Sequence, residues 1–321
     1  MNLNKLKKLS GDASFRNFYR KKINNKTSII VYAKKDKKSN LLNYDAVNKI
    51  LNKYKIKAPK LISQNYKKNY IEIEDFGDQT IVKNLKKNNA KKLYYFKRII
   101  FLLKNLQKIK KITTKTFLDS KYRIPLYSKN KLINETKLFI DWYLPKHIKG
   151  KNKNLIKMKL IKIFKSLLNQ LNYKKKVFVH RDFHVSNMMF TQEKKIGLID
   201  NQDAVVGSIA YDLASLIDDV RFKTNNNIKK YILKEFLKEN NALNKYKFKS
   251  DFEILSVLRN LKIIGIFTRL SVRDKKNKYL KLIPYAWRLI ELRISNNSKF
   301  SSLKKILDEN FDSKVRNIYE N

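Results

Sequence analysis

The sequence predicts an α+β protein, with a small N-terminal lobe built on a β-sheet and a larger, mainly helical C-terminal lobe. Three observations predict this class. Short β-rich segments are concentrated early in the chain, helical apolar stripes dominate the rest, and one strand-rich island interrupts the helices between residues 177 and 200. The alternating pattern breaks at DFGD (residues 75–78), so we expect lobes at residues 1–77 and 78–321.

The N-terminal lobe contains two predicted strands and one predicted helix. Residues 28–32 (SIIVY) are short and β-branched, which indicates a strand. Residues 41–54 carry apolar side chains at helical spacing, which indicates a helix. Residues 70–74 (YIEIE) alternate with period two, as expected of a strand with one solvated face.

The C-terminal lobe is predicted to be helical around a small sheet. Apolar stripes predict helices at residues 93–106, 156–171, 254–270 and 280–292. The strands of the island are VFV (residues 177–179), MMF (residues 188–190) and IGLI (residues 196–199).

Composition limits the class of protein. The chain has 321 residues, of which 43% are hydrophobic, and this suffices for two cores. The sequence has no cysteine, so disulfides and cysteine metal sites are excluded. It has no run of 18 apolar residues and no apolar signal segment at its start. We therefore expect a cytoplasmic protein with no membrane partner.

The net charge of +47 does not by itself indicate a nucleic-acid partner. Most of the positive charge comes from lysine, which is spread along the whole chain, whereas arginine is the better bidentate reader of phosphate and guanine. Lysine, asparagine and isoleucine are all frequent and share AT-rich codons. A compositional bias explains the excess more simply, and we expect no nucleic-acid partner.

The segment HRDFHVSN (residues 180–187) carries the strongest chemical signal. It lies between two predicted strands, and Asp200 ends the next strand. Phosphoryl transfer needs a carboxylate that accepts a hydroxyl proton and oxygen ligands for Mg²⁺. We therefore predict Asp182 as the base and Asn187 and Asp200 as magnesium ligands. The alternative is a polar β-turn in which Asp and Asn serve only the turn geometry.

The same region carries a family resemblance. Residues 177–221, which include VFVHRDFHVSNMMF and IGLIDNQDAVVGSIAYDLASLIDDVR, resemble the aminoglycoside phosphotransferase superfamily. Within it, the chain is similar to the bacterial N-acetylmuramate/N-acetylglucosamine anomeric kinases of cell-wall recycling. Weaker similarity covers GDASFR (residues 11–16), IEDFGD (residues 73–78), LFIDWY (residues 138–143) and LKIIGIFTRL (residues 261–270).

The resemblance implies a bilobal, protein-kinase-like fold and an ATP- and Mg²⁺-dependent kinase of an amino sugar. The N-terminal lobe would bind the nucleotide, with Ser14 in a phosphate-covering loop and Glu74 and Phe76 in a hinge beside the adenine. Asp212 would brace the catalytic loop. His180 is expected to be structural, and His184 either orients the γ-phosphate or fills the loop.

The acceptor would lie on the C-terminal lobe, where the resemblance suggests several contacts. Carboxylates suit sugar hydroxyls, an aromatic face suits a pyranose ring and arginine suits a lactyl carboxylate. The candidates are Glu135, Trp142, Asp203, Asp219 and Arg221. The nucleotide-pairing lysine of other kinases has no clear counterpart, because Lys34 and Lys35 are expected to be solvated.

Other functions are compatible with parts of the sequence. The acceptor could be another small alcohol, such as an aminoglycoside, choline or a different sugar, since fold does not decide substrate. A protein kinase is disfavoured because Asn201 and Gln202, not Phe-Gly, follow Asp200. A non-catalytic basic scaffold or RNA-binding protein is the alternative from a different class. We expect the protein to be a monomer.

Overall fold

A computed structural model describes residues 6–9, 16–24, 26–88, 90–150, 152–173 and 176–320. The chain divides into two compact units, each made of two segments. The first unit comprises Met1–Leu126 and Val177–Val206, and the second comprises Tyr127–Lys176 and Gly207–Asn321. The predicted functional division at Gly77 stays a prediction, because these units group residues by compactness alone.

The predicted fold class is confirmed, with a five-stranded N-terminal sheet and a mainly helical remainder. The strands are β1 (Lys7–Leu9), β2 (Asn17–Ile23), β3 (Lys26–Tyr32), β4 (Leu61–Asn65), β5 (Tyr70–Glu74), β6 (Thr113–Lys115), β7 (Lys121–Arg123), β8 (Lys176–Val179), β9 (Met188–Phe190), β10 (Ile196–Leu198) and β11 (Val205–Ser208).

The helices occupy most of the rest of the described chain. They are α1 (Ser39–Lys53), α2 (Ile81–Lys87), α3 (Lys92–Gln107), α4 (Lys129–Leu138), α5 (Leu144–His147), α6 (Asn152–Asn169), α7 (Tyr211–Ile217), α8 (Asn226–Glu239), α9 (Lys245–Val272), α10 (Ile283–Ile294), α11 (Ser301–Asn310) and α12 (Ser313–Asn317). A π-helical turn, Phe139–Tyr143, joins α4 to α5.

The first unit is built on an antiparallel sheet of order β1-β2-β3-β5-β4. Helix α1 packs against this sheet, because Leu41 and Tyr44 join Val31, Ile71 and Ile73 in one buried cluster. The sequence pattern identified β3, α1 and β5. It missed β1, β2 and β4, whose residues are mostly exposed or half-buried and therefore lack an apolar signature.

Among the described residues, three short strand pairs follow the N-terminal sheet in the chain. β9 pairs with β10 in antiparallel register, with Met188 opposite Leu198, and β6 pairs with β7. β11 pairs with β8, and the chain passes to the second unit after Val206. The island of strands predicted between residues 177 and 200 is therefore present as β8, β9 and β10.

The second unit is helical around the long helix α9. Most residues in the central part of α9 are buried, including the polar Arg259, Asn260 and Lys262. Gly265 lets α9 approach the backbone of the α4 end closely, since a Cβ there would lie 2.2 Å from the Leu138 carbonyl carbon. No helix among the described residues is long and apolar enough to cross a membrane.

Candidate active site

The predicted catalytic segment, residues 180–187, is a tight loop between β8 and β9. The Asp182 carbonyl oxygen accepts hydrogen bonds from the His184 backbone N–H at 3.0 Å and from the Asn187 side-chain amide Nδ2 at 3.0 Å. The Asn187 N–H donates to the His184 carbonyl at 2.9 Å. The loop is thus closed upon itself, and Asn187 fixes the backbone that carries Asp182.

The β9–β10 hairpin brings Asn187 and Asp200 together. Asn187 immediately precedes β9 and Asp200 follows β10 by two positions. The Ile199 N–H donates to the Asn187 carbonyl at 3.1 Å, so the pairing of the hairpin continues past the strand ends. The three residues predicted to carry the chemistry therefore lie on backbone segments joined by direct hydrogen bonds.

Two residues of this region have left-handed backbone conformations despite having a Cβ. Arg181 has φ of 77° and Asp200 has φ of 64°. Residues other than glycine adopt a positive φ infrequently. Residues with such strained backbones are concentrated at active sites and ligand-binding turns. The surrounding hydrogen bonds must hold both residues in place.

A chain of hydrogen-bonded, buried polar side chains connects the loop to helix α1. The fully buried His180 lies with Nε2 2.8 Å from Asn201 Oδ1. Asn201 Nδ2 donates to Asn48 Oδ1 on α1 at 2.9 Å and to the Leu198 carbonyl at 3.0 Å. Asn48 Nδ2 in turn donates to the Pro59 carbonyl at 2.8 Å. Helix α1 is thereby tied to both ends of the catalytic region.

The Asp200 carboxylate has two side-chain donors. Arg16 Nη2 lies 2.5 Å from Asp200 Oδ1, and Gln202 Nε2 donates to the same oxygen at 3.2 Å. Gln202 also donates to Asp203 Oδ2 at 2.6 Å. Beside this group, burial raises the pKa of Tyr44, with the negative charge of Asp200 raising it further and the positive charge of Arg16 opposing the change.

The donor set fits Mg²⁺. Asn187 offers an amide oxygen, since its Nδ2 is the atom that donates to Asp182, and Asp200 offers a carboxylate. Among the described residues, no group of three or more His, Cys, Asp or Glu side chains could hold a metal. Magnesium commonly takes one or two protein oxygens and completes its shell with phosphates and water, and the oxygens of Asn187 and Asp200 would meet that need.

The predicted hinge is clamped by Arg20. Its guanidinium contacts Asp75 Oδ2 at 2.6 Å and Asp78 Oδ2 at 2.9 Å, and it donates to the Gly77 carbonyl at 3.1 Å. Gly77 has φ of 78°, a conformation that favours glycine. Hydrogen bonding to Arg20 lowers the pKa of Asp78 and keeps that carboxylate ionised.

The predicted nucleotide contacts near this hinge occupy different environments. Phe76 is buried, and its ring packs on the backbone of β10, where a Cβ on Gly197 would lie 2.5 Å from Phe76 Cε2. Glu74 is half-buried at the end of β5, with Oε2 accepting from the Lys60 N–H at 3.3 Å. Ser14 lies outside the described residues.

The predicted acceptor contacts are divided between the two units. Asp203 belongs to the first, with 49% of its side chain exposed and Arg181 Nη1 3.9 Å from its Oδ1. Glu135 belongs to the second, where its Oε2 accepts from Tyr127 at 2.5 Å and from Lys262 at 2.7 Å. Trp142 is half-buried in the π-helical turn of that unit.

Asp212, Asp219 and Arg221 also lie in the second unit. Asp212 is buried in the first turn of α7. Asp219 is buried, and burial raises its pKa against the lowering influence of Arg221, whose backbone N–H donates to Asp219 Oδ1 at 2.8 Å. The Arg221 guanidinium stacks on the Phe267 ring at 5.5 Å.

Comparison with known proteins decides the family. A family model described as the phosphotransferase enzyme family matches residues 5–243, about three-quarters of the chain. The chain belongs to the phosphotransferase enzyme family. The predicted resemblance to this superfamily and the prediction of a phosphotransferase are thus confirmed.

Two bacterial amino-sugar kinases resemble the chain over most of its length. The N-acetylmuramate/N-acetylglucosamine kinase of Pseudomonas aeruginosa is 27% identical over 314 residues, covering 93% of this chain and 86% of that protein. The kinase of the same name from Neisseria meningitidis is 26% identical, covering 86% of this chain and 81% of its own length. The relation to these kinases that the sequence suggested is confirmed.

A solved structure supports the fold. An ADP-bound aminoglycoside phosphotransferase superposes with a TM-score of 0.59 at 17% identity, covering 90% of this chain and 95% of its own. At that identity the likeness concerns the fold alone. It agrees with the predicted bilobal, protein-kinase-like class.

In this phosphotransferase, several supporting residues were not predicted from the sequence. They are Arg16 beside Asp200, Arg20 at the hinge, and Asn48 and Asn201 beneath the catalytic loop. In the sequence, Arg16 is distinguished only as the last residue of the GDASFR block. Asn48 and Asn201 gave no signal, because a polar residue in a helix or after an Asp resembles ordinary surface.

Proposed function

We propose that this phosphotransferase transfers the γ-phosphoryl group of ATP to the anomeric hydroxyl of an amino sugar, N-acetylmuramate or N-acetylglucosamine. It acts as a cytoplasmic monomer that uses Mg²⁺. The observation that carries the proposal is the hydrogen bond from Asn187 Nδ2 to the Asp182 carbonyl, because it joins the candidate base to a candidate metal ligand.

The protein's own groups divide the work of the reaction. Asp182 accepts the proton of the attacking sugar hydroxyl through its carboxylate. Asn187 and Asp200 would hold Mg²⁺ through their oxygens, and the bound ion would neutralise charge on the nucleotide phosphates. The hydrogen bonds that close the loop hold Asp182 in one conformation, which lowers the entropic cost of orienting the base.

The supporting residues follow the same scheme. Ser14 would donate to the phosphates, while Glu74 and the backbone beside the packed Phe76 would face the adenine. His180 supports the loop from below through Asn201. Asp212, buried at the start of α7, would brace the catalytic loop.

The predicted acceptor contacts can be ranked by their exposure and by the hydrogen bonds that they already make within the protein. Asp203 keeps about half of its side chain exposed and suits a sugar hydroxyl. Arg221 suits the lactyl carboxylate of N-acetylmuramate, and Trp142 offers a ring for the pyranose face. Glu135 Oε2 already accepts from Tyr127 and Lys262, which places Glu135 last among the acceptor contacts.

An amino sugar is favoured over other alcohols by two observations. The relatives that cover most of the chain carry the name of an amino-sugar kinase. The net charge of +47 also disfavours a cationic acceptor such as an aminoglycoside, because the field of the protein repels it.

An ADP-release assay tests the proposal with N-acetylmuramate, N-acetylglucosamine, choline and kanamycin as acceptors. We expect turnover with one or both amino sugars, and none when EDTA removes the metal. Turnover with only choline or kanamycin would reject the amino sugar and keep the kinase. Failure to bind Mg·ATP, together with salt-dependent RNA binding, would favour the basic scaffold.

A further inference from the structure

We propose that Arg16 binds the phosphates of the nucleotide next to Asp200, in the role that a strand lysine has in other kinases; this inference rests on the proposed function. Arg16 directly precedes β2 and follows the segment predicted to cover the phosphates. Its Nη2 lies 2.5 Å from Asp200 Oδ1.

The Arg16 guanidinium is held in one place. Only 3% of its side chain is exposed, and its central carbon lies 5.6 Å from the ring centroids of both Phe18 and Tyr44. A guanidinium held in this way has already lost most of its rotamer freedom, so binding an anion there costs little further entropy. Such preorganisation is typical of a binding residue.

Charge balance at Asp200 favours a phosphate as the anion. The Asp200 carboxylate already accepts hydrogen bonds from Arg16 and Gln202, and in the proposed function it also binds Mg²⁺. Mg²⁺ bound at Asp200 would share that carboxylate with Arg16, and two cations at one carboxylate favour a further anion beside them. A phosphate of the same Mg·nucleotide supplies one, and arginine binds phosphate with two parallel hydrogen bonds.

The usual lysine position does not provide this cation. The central residues of β3, Ile29, Ile30 and Val31, are buried and apolar, while Lys34 and Lys35 beyond the strand are exposed. Helix α1 presents Tyr44 and Asn48 toward this region, where other kinases have a glutamate that pairs with the lysine. Arg16 is the buried cation that the structure places at Asp200 itself.

Binding measurements test the assignment without relying on turnover. Affinities for Mg·ATP, Mg·ADP, AMP and adenosine are measured by calorimetry for wild type, Arg16→Gln and Arg16→Lys. We expect Arg16→Gln to weaken Mg·ATP by about tenfold or more, as for a lost charge-assisted hydrogen bond, and to leave adenosine unchanged. Arg16→Lys should recover part of the loss.

Lys21→Gln is the matched control, because Lys21 lies in β2, the strand that Arg16 precedes, and the change removes a half-buried ion pair with Glu72. It should leave all four affinities unchanged. If Arg16→Gln weakens adenosine as much as Mg·ATP, or leaves Mg·ATP unchanged, Arg16 is only a structural partner of Asp200 and the inference is wrong.

A second comparison separates direct contact from an effect through Asp200. In EDTA, ATP affinity is compared between Asp200→Asn and the double variant Arg16→Gln/Asp200→Asn. Direct contact predicts a further loss of about tenfold in the double variant. Equal affinities would overturn the inference. Absence of any ATP binding by wild type would instead reject the proposed function.

Discussion

His180 Nε2 lies 2.8 Å from Asn201 Oδ1, so the residue two positions before the candidate base is bonded to the residue directly after the candidate metal ligand. Asn201 then continues to Asn48 on α1. All three side chains are buried. The positions of Asp182 and Asp200 therefore depend on the buried amide of Asn201, which is not itself predicted to bind substrate or metal.

Asn201→Ala should destabilise the fold by about 2–4 kcal/mol, because it leaves polar atoms of His180 and Asn48 buried without this partner. Urea unfolding followed by circular dichroism measures the change. Asn240→Ala is the control, since Asn240 is half-buried and its side chain donates only to the Phe236 carbonyl, and it should cost less. Equal losses in the two variants would contradict a special role for Asn201.

Asp182→Asn should lower kcat by about 100-fold or more, because the amide cannot accept the hydroxyl proton. Mg·ATP affinity should be unchanged, since Asp182 is not assigned to the metal. Steady-state kinetics and calorimetry measure the two effects. The exposed Asp36→Asn serves as control and should leave both values as in wild type. Substantial turnover in Asp182→Asn would refute the base assignment.

Asp200→Ala should reduce nucleotide affinity in Mg²⁺ to the value found in EDTA, because the carboxylate ligand is lost. A titration of ATP with and without the metal checks this. Retention of the full magnesium dependence would move the principal ligand elsewhere. Asp274→Ala, which removes a half-buried carboxylate of the second unit paired with Arg273, should behave as wild type.

A buried ion cluster should make stability depend on pH. Burial alone would raise the pKa of Asp218, but Arg293 and Lys229 outweigh it and hold that pKa below the usual value. The ionised carboxylate therefore stabilises the fold above about pH 4, and this contribution is lost as the pH falls through the folded pKa. Ser256 also donates to Asp218, at 2.5 Å.

Asp218→Asn should accordingly cost about 3–5 kcal/mol at neutral pH, because it leaves buried cations without their anion. The difference from wild type should shrink below about pH 4, because there the unfolded wild-type chain takes up a proton that the native Asp218 carboxylate still resists. Urea unfolding between pH 3 and 7 measures it. Asp274→Asn should cost under about 1 kcal/mol. A difference that stayed constant down to pH 3 would contradict the assignment.

Much of the catalytic region could be predicted because its signals are local. Asp182, Asn187 and Asp200 lie within 19 positions of one another, and the strands between them are short and apolar. The sequence predicts both strands, whereas their pairing as a hairpin that aligns Asn187 with Ile199 is seen only in the structure. The same holds for β3, α1 and β5, whose periodicity is clear.

The remaining features depend on contacts between distant parts of the sequence. Arg16 and Asp200 are separated by 184 positions, and Asn48 and Asn201 by 153. No periodicity connects such pairs, and each residue alone resembles solvated surface. The edge strands β1 and β4 were missed because half-exposed polar strands carry little apolar alternation.

The segmented make-up of the two units has a consequence for synthesis on the ribosome. The chain leaves the first unit after Leu126, contributes Tyr127–Lys176 to the second, and returns at Val177. The N-terminal sheet therefore emerges long before the catalytic segment that completes its unit. A nascent chain that ends before Val206 should have an incompletely folded first unit, and such a chain should depend on chaperones.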